Sequence, residues 1–124
     1  MAVRRLTLVG TEDGRQLHFV EKIELTPLSG LNGVTELNLS RTLVSDLSPL
    51  AGLSELTTLY LFGTPVSDLS PLAGLSGLTK LNLCGTRVSD LSPLEKLSNL
   101  KEVWLDKYQT VSIPQTLEKV IRRW

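Results

Sequence analysis

From Val44 to Leu56 the chain reads VSDLSPLAGLSEL, and 22 residues later, from Val66 to Leu78, it reads VSDLSPLAGLSGL. A third copy, VSDLSPLEKLSNL, runs from Val88 to Leu100. Short strand-like pieces recur on the same step: Leu37-Asn38-Leu39, Leu59-Tyr60-Leu61, Leu81-Asn82-Leu83 and Val103-Trp104-Leu105. A fixed period of this length means stacked coils, each too small to bury its apolar edge except against the next. The period therefore dictates a solenoid. It also separates residues that every coil needs from those free to vary.

Within one copy, Leu59 and Leu61 alternate with Thr58, Tyr60 and Phe62, so one set faces the core and the other faces out. Val66, Leu69, Leu72, Leu75 and Leu78 follow at near-threefold spacing, which suits a tight 3₁₀ return arm with one apolar edge. Pro71 lacks an N–H and tolerates the start of such a turn. Asp68 can accept hydrogen bonds from the amides freed there. Asp46, Asp68 and Asp90 occupy one coil position and so share one capping job, which argues against a carboxylate or metal cluster. Thr42, Thr64 and Thr86 are expected to turn inward and satisfy backbone groups at the corner, where an unpaired buried amide costs about 1–3 kcal/mol.

The ends depart from the period. Val3–Val9 alternates apolar and polar, Thr11-Glu12-Asp13-Gly14 supplies turn chemistry, and Gln16–Val20 alternates again; this predicts a β-hairpin cap over residues 1–24. Leu25–Leu31 matches Leu69–Leu75 and opens the repeats, with Leu17 in register with Leu39 and Leu61, and the coils occupy 25–105. Tyr108 then stands where earlier copies carry Thr. In the tail, Pro114 can open a helix and Leu117, Val120, Ile121 and Trp124 lie at helical spacing, so 106–124 is expected to be a C-terminal cap with an amphipathic helix over 114–124.

The pattern LxxLxxLxLxxT-x-VSDLSPLxxL resembles the bacterial leucine-rich repeats of the 22-residue, internalin-like type. The resemblance covers about Leu25 to Leu105, with one departure: that family usually carries Asn where this chain has Thr42, Thr64 and Thr86. It implies a right-handed superhelix with a short parallel sheet on its concave face, 3₁₀ or irregular return arms, and protein binding as the activity. Internalins are secreted or surface-anchored, and nothing in the sequence signals either.

Composition narrows the partner. Lys plus Arg and Asp plus Glu both total 13, and the basic pairs Arg4-Arg5 and Arg122-Arg123 are joined by no basic stripe, so nucleic acid is not expected. No apolar run is long enough to span a bilayer, and Leu6–Val9 ends at once in Gly10–Gly14, which leaves no signal core. The single cysteine excludes an internal disulfide and suits a reducing compartment, so a cytoplasmic protein is expected. Gly52, Gly63, Gly74, Gly77 and Gly85 keep the repeat period rather than forming a phosphate loop, and no cofactor is expected.

Function should sit where copies differ. Parallel strands on successive coils put equivalent residues about 4.8 Å apart. Three outward ranks follow: Glu36, Thr58, Lys80, Glu102; Asn38, Tyr60, Asn82, Trp104; and Ser40, Phe62, Cys84, Asp106, with Gln16 and His18 extending the second and third. Tyr60, Phe62 and Trp104 are aromatics where stability asks for none, typical anchors of a protein interface. Glu36, Lys80, Glu102 and Asp106 would set charge preference beside Asn38, Asn82 and Cys84. The competing reading for Trp104 is partial cover by the C-terminal cap. Cys84 would need His18, the sole histidine, as a base, about 14 Å away across three strands. Asp106, nearer, raises a thiol pKa rather than lowering it. Cys84 is thus expected to be an ordinary exposed or half-buried thiol.

The sequence reads as a non-enzymatic protein-binding module with no catalytic or metal site: a stand-alone inhibitor, immunity or adaptor protein. The alternatives are a sensor fragment of a larger intracellular receptor and a ligand-free engineered scaffold. An apolar concave patch could also serve self-association.

Overall fold

A computed structural model describes the backbone of residues 5–7 and the whole of residues 33–124. Among the described residues six strands form one parallel sheet in chain order: β1 (Arg5–Thr7), β2 (Glu36–Asn38), β3 (Thr58–Tyr60), β4 (Lys80–Asn82), β5 (Glu102–Leu105) and β6 (Ile121–Arg123). Leu37, Leu59, Leu81 and Val103 lie in one register row and are fully buried. Their neighbours Glu36 and Asn38, Thr58 and Tyr60, Lys80 and Asn82, and Glu102 and Trp104 face outward. The expected alternation therefore holds.

Return arms contain 3₁₀ turns at Ser48–Leu50, Ser70–Leu72 and Ser92–Leu94, each with its proline at the start. The Ser48, Ser70 and Ser92 amides each donate to the carboxylate of the Asp two residues earlier, at 2.9 Å in all three coils. At the corner, the Thr42, Thr64 and Thr86 hydroxyls donate to the carbonyls of Leu39, Leu61 and Leu83 at 2.7–2.8 Å. The assignment of these residues to scaffold duties is thus observed atom by atom. Thr57 and Thr79 add a ladder between coils: the amide and hydroxyl of each donate to the carbonyl of the threonine one coil back. The three coils that carry Thr42, Thr64 and Thr86 solve the same local problem with the same groups, and among the described residues the core of leucines and valines runs uninterrupted from Val34 to Val120.

Arg41, Gly63 and Gly85 share another corner position and all have positive φ, between 61° and 70°. A Cβ at Gly85 would meet the Gly63 backbone nitrogen at 3.2 Å, so a side chain there would fit only if that backbone shifted, and the positive φ adds strain for any residue but glycine.

The C-terminal segment differs from the expected helix. Gln115–Val120 is a 3₁₀ turn, and Ile121–Arg123 is a strand pairing in parallel with β5. Two forces override the helical spacing. The open edge of β5 offers unpaired backbone groups, and the β-branched pair Val120-Ile121 favours extended backbone. The segment is a shortened coil. Asp90 still bridges Ser112, one full period of 22 on, but Val103 pairs Ile121 after only 18 residues, where Leu81 pairs Val103 after 22.

At the other end, β1 pairs directly with β2, Arg5 opposite Glu36 and Thr7 opposite Asn38. The positions beside the first and second ranks are therefore taken by Arg5 and Thr7, not by Gln16–Val20. The rest of the expected hairpin, His18 and the opening repeat at Leu25–Leu31 lie outside the described residues.

Candidate functional site

The sheet brings the first two outward ranks together as expected. Thr58, Lys80 and Glu102 align in register, as do Tyr60, Asn82 and Trp104. Between them lies a groove of about 220 Å³ lined by Tyr60, Lys80, Asn82, Glu102 and Trp104, with Leu81 at its base, and by Trp124. Trp124 is the residue that sequence reasoning missed. In a helix it would have packed on the core; at the end of β6 it is 79% exposed and stands edge-to-face against Trp104, centroids 6.2 Å apart at 71°. Its amide donates to the Leu105 carbonyl at 2.9 Å, the bond that Thr hydroxyls make in the other coils and Tyr108 does not. That substitution anchors Trp124 beside Trp104.

Polar groups tie the groove. The Trp104 indole Nε1–H donates to Glu102 Oε1 at 3.2 Å, and Lys80 Nζ lies 3.6 Å from Glu102 Oε2. Glu36 sits one rank position beyond Thr58, at the edge of the same row.

Several candidates have local duties. The Asn38 and Asn82 side chains bend back and accept from the amides of Ser40 and Cys84 at 2.9 Å, forming turns that lead out of the strands. Tyr60 and Trp104, in alternate coils, have no such acceptor and project free of this duty. The third rank is not part of the sheet: Ser40, Phe62 and Cys84 lie in the turns after the strands and Asp106 just past β5. Phe62 is separated from the groove and sits under the Arg41 guanidinium, 5.6 Å from its ring centre. Asp106 accepts from the Gly85 amide through Oδ2 at 2.6 Å, doing the work of a backbone carbonyl.

Cys84 corrects the expectation of an exposed or half-buried thiol: it is 2% exposed. The strand ends at Asn82, so outward alternation no longer applies two residues later. Burial pushes the Cys84 thiol pKa up, and the negative charge of Asp106 adds to this. Neither effect makes a nucleophile. Among the described residues no three His, Cys, Asp or Glu side chains gather around one metal-sized space, and no helix is long and apolar enough to cross a membrane.

Known proteins agree with this geometry. A family model of Leucine Rich repeats (2 copies) matches residues 32–74. The crystal structure of an internalin C2 from Listeria monocytogenes superposes with a TM-score of 0.74 at 37% identity, over 82% of this chain and 46% of that one. An internalin, inlF, from the same organism superposes with a TM-score of 0.69 at 26% identity, over 86% and 36%. No curated protein matches the chain. The fold and repeat define a leucine-rich-repeat solenoid. More particularly, the chain is an internalin-like leucine-rich-repeat protein, and it spans less than half the length of either solved internalin. Such solenoids are typically scaffolds for protein interaction rather than enzymes.

Proposed function

We propose that this chain is a non-enzymatic module that docks a protein partner on the outer, concave face of the sheet, as an inhibitor, immunity or adaptor protein in a reducing cytoplasmic setting. One observation carries the reading: Tyr60, Trp104 and Trp124 converge on one groove although no repeat position requires an aromatic there. Aromatic anchors around a solvent-accessible groove carry a large share of binding energy in protein interfaces. Lys80 and Glu102 line the same groove and supply charge preference. Phe62, separated from the groove, is a secondary contact at most.

Capture from a host lysate with mass spectrometry tests this, comparing wild type with Tyr60→Ala/Trp124→Ala and with Phe62→Ala. Hot-spot truncations of about 2 kcal/mol each weaken binding by roughly 30-fold apiece. The aromatic double variant should lose the partner while keeping its circular dichroism, and Phe62→Ala should retain it. A partner held equally by all three proteins would refute the site. Sedimentation across a concentration series shows whether the captured species is a second copy of the chain.

A further inference from the structure

We propose that the groove between Tyr60, Trp104 and Trp124 takes an arginine side chain presented by the protein partner, with Glu102 as its counter-charge and Lys80 as the group it displaces. This rests on the concave-face reading and names the chemistry of its occupant.

Aromatic faces carry the negative end of a ring quadrupole and attract cations. An edge-to-face pair cannot cover both faces of both rings, and Trp124 is largely exposed, so ring faces remain open to a guest. The polar edge of Trp104 is already spent on Glu102. The groove therefore offers ring faces and a carboxylate, with no free indole donor at Trp104. Two of the roughly four acceptor positions of Glu102 face Trp104 and Lys80, which leaves capacity for a new donor.

The two charges lining the groove are not equivalent. Glu102 is the more enclosed, its side chain 30% exposed against 55% for Lys80. Their separation of 3.6 Å is longer than a direct charge-assisted hydrogen bond, and such loose surface pairs hold weakly. Lys80 can swing out; Glu102 is held by the indole. Neighbouring cations are directed elsewhere. Arg122, opposite Trp104 in the sheet, donates to the Lys119 and Ile121 carbonyls, and Arg123 donates to the carbonyls of Asp106 and Gln109.

An acidic guest would meet Glu102 and the negative ring faces together. An aliphatic guest would desolvate Glu102 without giving it a partner. A guanidinium does neither, and its planar, weakly hydrated group stacks on rings and reaches a carboxylate better than an ammonium does. A groove of about 220 Å³ has room for that group and its adjoining methylenes.

The probe is Nα-acetylarginine methylamide, compared with its citrulline counterpart, which has nearly the same shape and no charge. The chain has two tryptophans, so two indole N–H signals in a nitrogen–proton correlation spectrum report on the groove, assigned with Trp124→Phe. At constant ionic strength, the arginine probe should shift both signals saturably and the citrulline probe should bind at least about tenfold more weakly, a ratio equal to one factor of ten in Kd. Glu102→Gln should weaken arginine binding severalfold, and Lys80→Gln should strengthen it. Equal response to both probes, no response up to the solubility of the arginine probe, or weakening by Lys80→Gln would overturn the proposal. If arginine is not selected while Tyr60→Ala/Trp124→Ala still loses the captured partner, the concave-face site stands and only its arginine chemistry falls.

Discussion

The third coil, from Leu81 to Leu100, and the last, from Val103 to Trp124, show what a solenoid does inside its stack and at its end. In the third coil, repeated backbone groups and the Thr86 hydroxyl satisfy one another: Gly63 donates to the Cys84 carbonyl, and Arg87 to the Val66 carbonyl. One step on, other groups replace these partners. The Gly85 amide finds the Asp106 carboxylate instead of a carbonyl. The Val88 carbonyl faces the Gln109 side-chain amide, at 3.4 Å, instead of a backbone N–H. The Leu105 carbonyl takes the Trp124 amide instead of a threonine hydroxyl. With four residues fewer before it rejoins the sheet, the last coil cannot follow the backbone course of its predecessors, and the side chains of Asp106 and Gln109 and the amide of Trp124 fill in. The groove is a product of the same shortening, because it brings Trp124 beside Trp104.

The contrast can be broken most severely in the core. Leu81 is packed between neighbours on both sides, so Leu81→Ala should cost about 3–5 kcal/mol in urea unfolding. Leu117, buried in the terminal coil, should cost nearer the lower limit, about 2 kcal/mol. Equal costs would mean that the last coil is as deeply integrated as the third.

A smaller effect separates side-chain from backbone bonding. Gln109→Ala removes the acceptor of the Asp106 amide and the contact to Val88, and should cost about 1–2 kcal/mol. Arg87→Ala, one coil earlier, leaves the backbone bond to Val66 intact and should change stability by less than about 0.5 kcal/mol. Similar values for the two would remove the distinction.

The smallest effect is on pH dependence. The hydroxyl and amide of Ser70 hold the Asp68 carboxyl below the usual carboxylate pKa. The unfolded chain therefore binds this proton first on acidification. The stabilisation is fully present above the ordinary carboxylate range, about pH 4, and is lost as pH falls through the lower folded pKa. Asp68→Asn should flatten that part of the unfolding profile slightly. Ser112, at the matching position of the last coil, gives that coil no such term. A profile identical to wild type would deny Asp68 its role.

Most of the scaffold was legible because it repeats: three copies of Thr, Asp and Pro at fixed positions turn a local guess into a pattern, and the bonds of Thr64 and Asp68 bear it out. Tyr60, Lys80, Glu102 and Trp104 were legible as neighbours from strand register alone. What escaped depended on non-repeating context. Leu117, Val120, Ile121 and Trp124 fit a helix by spacing, and nothing local shows the demand of an open strand edge at β5. Cys84 looked outward because strand alternation was carried two residues too far. Asn38 and Asn82 could as well have faced a partner as their own turns, a choice settled only by where the chain bends.

The inter-coil ladder of Thr35, Thr57 and Thr79 makes each period an interchangeable cassette. A tandem duplication of 22 codons would be accepted by the ladder almost anywhere along it, yet its consequence would depend on where it fell. Placed before Tyr60, it would lengthen the molecule and leave the groove whole. Placed between Tyr60 and Trp104, it would move the two rings from about 10 Å to about 14 Å apart and split the groove, without disturbing a single core contact type. Length added on one side of the groove therefore leaves it intact, and length added within it does not.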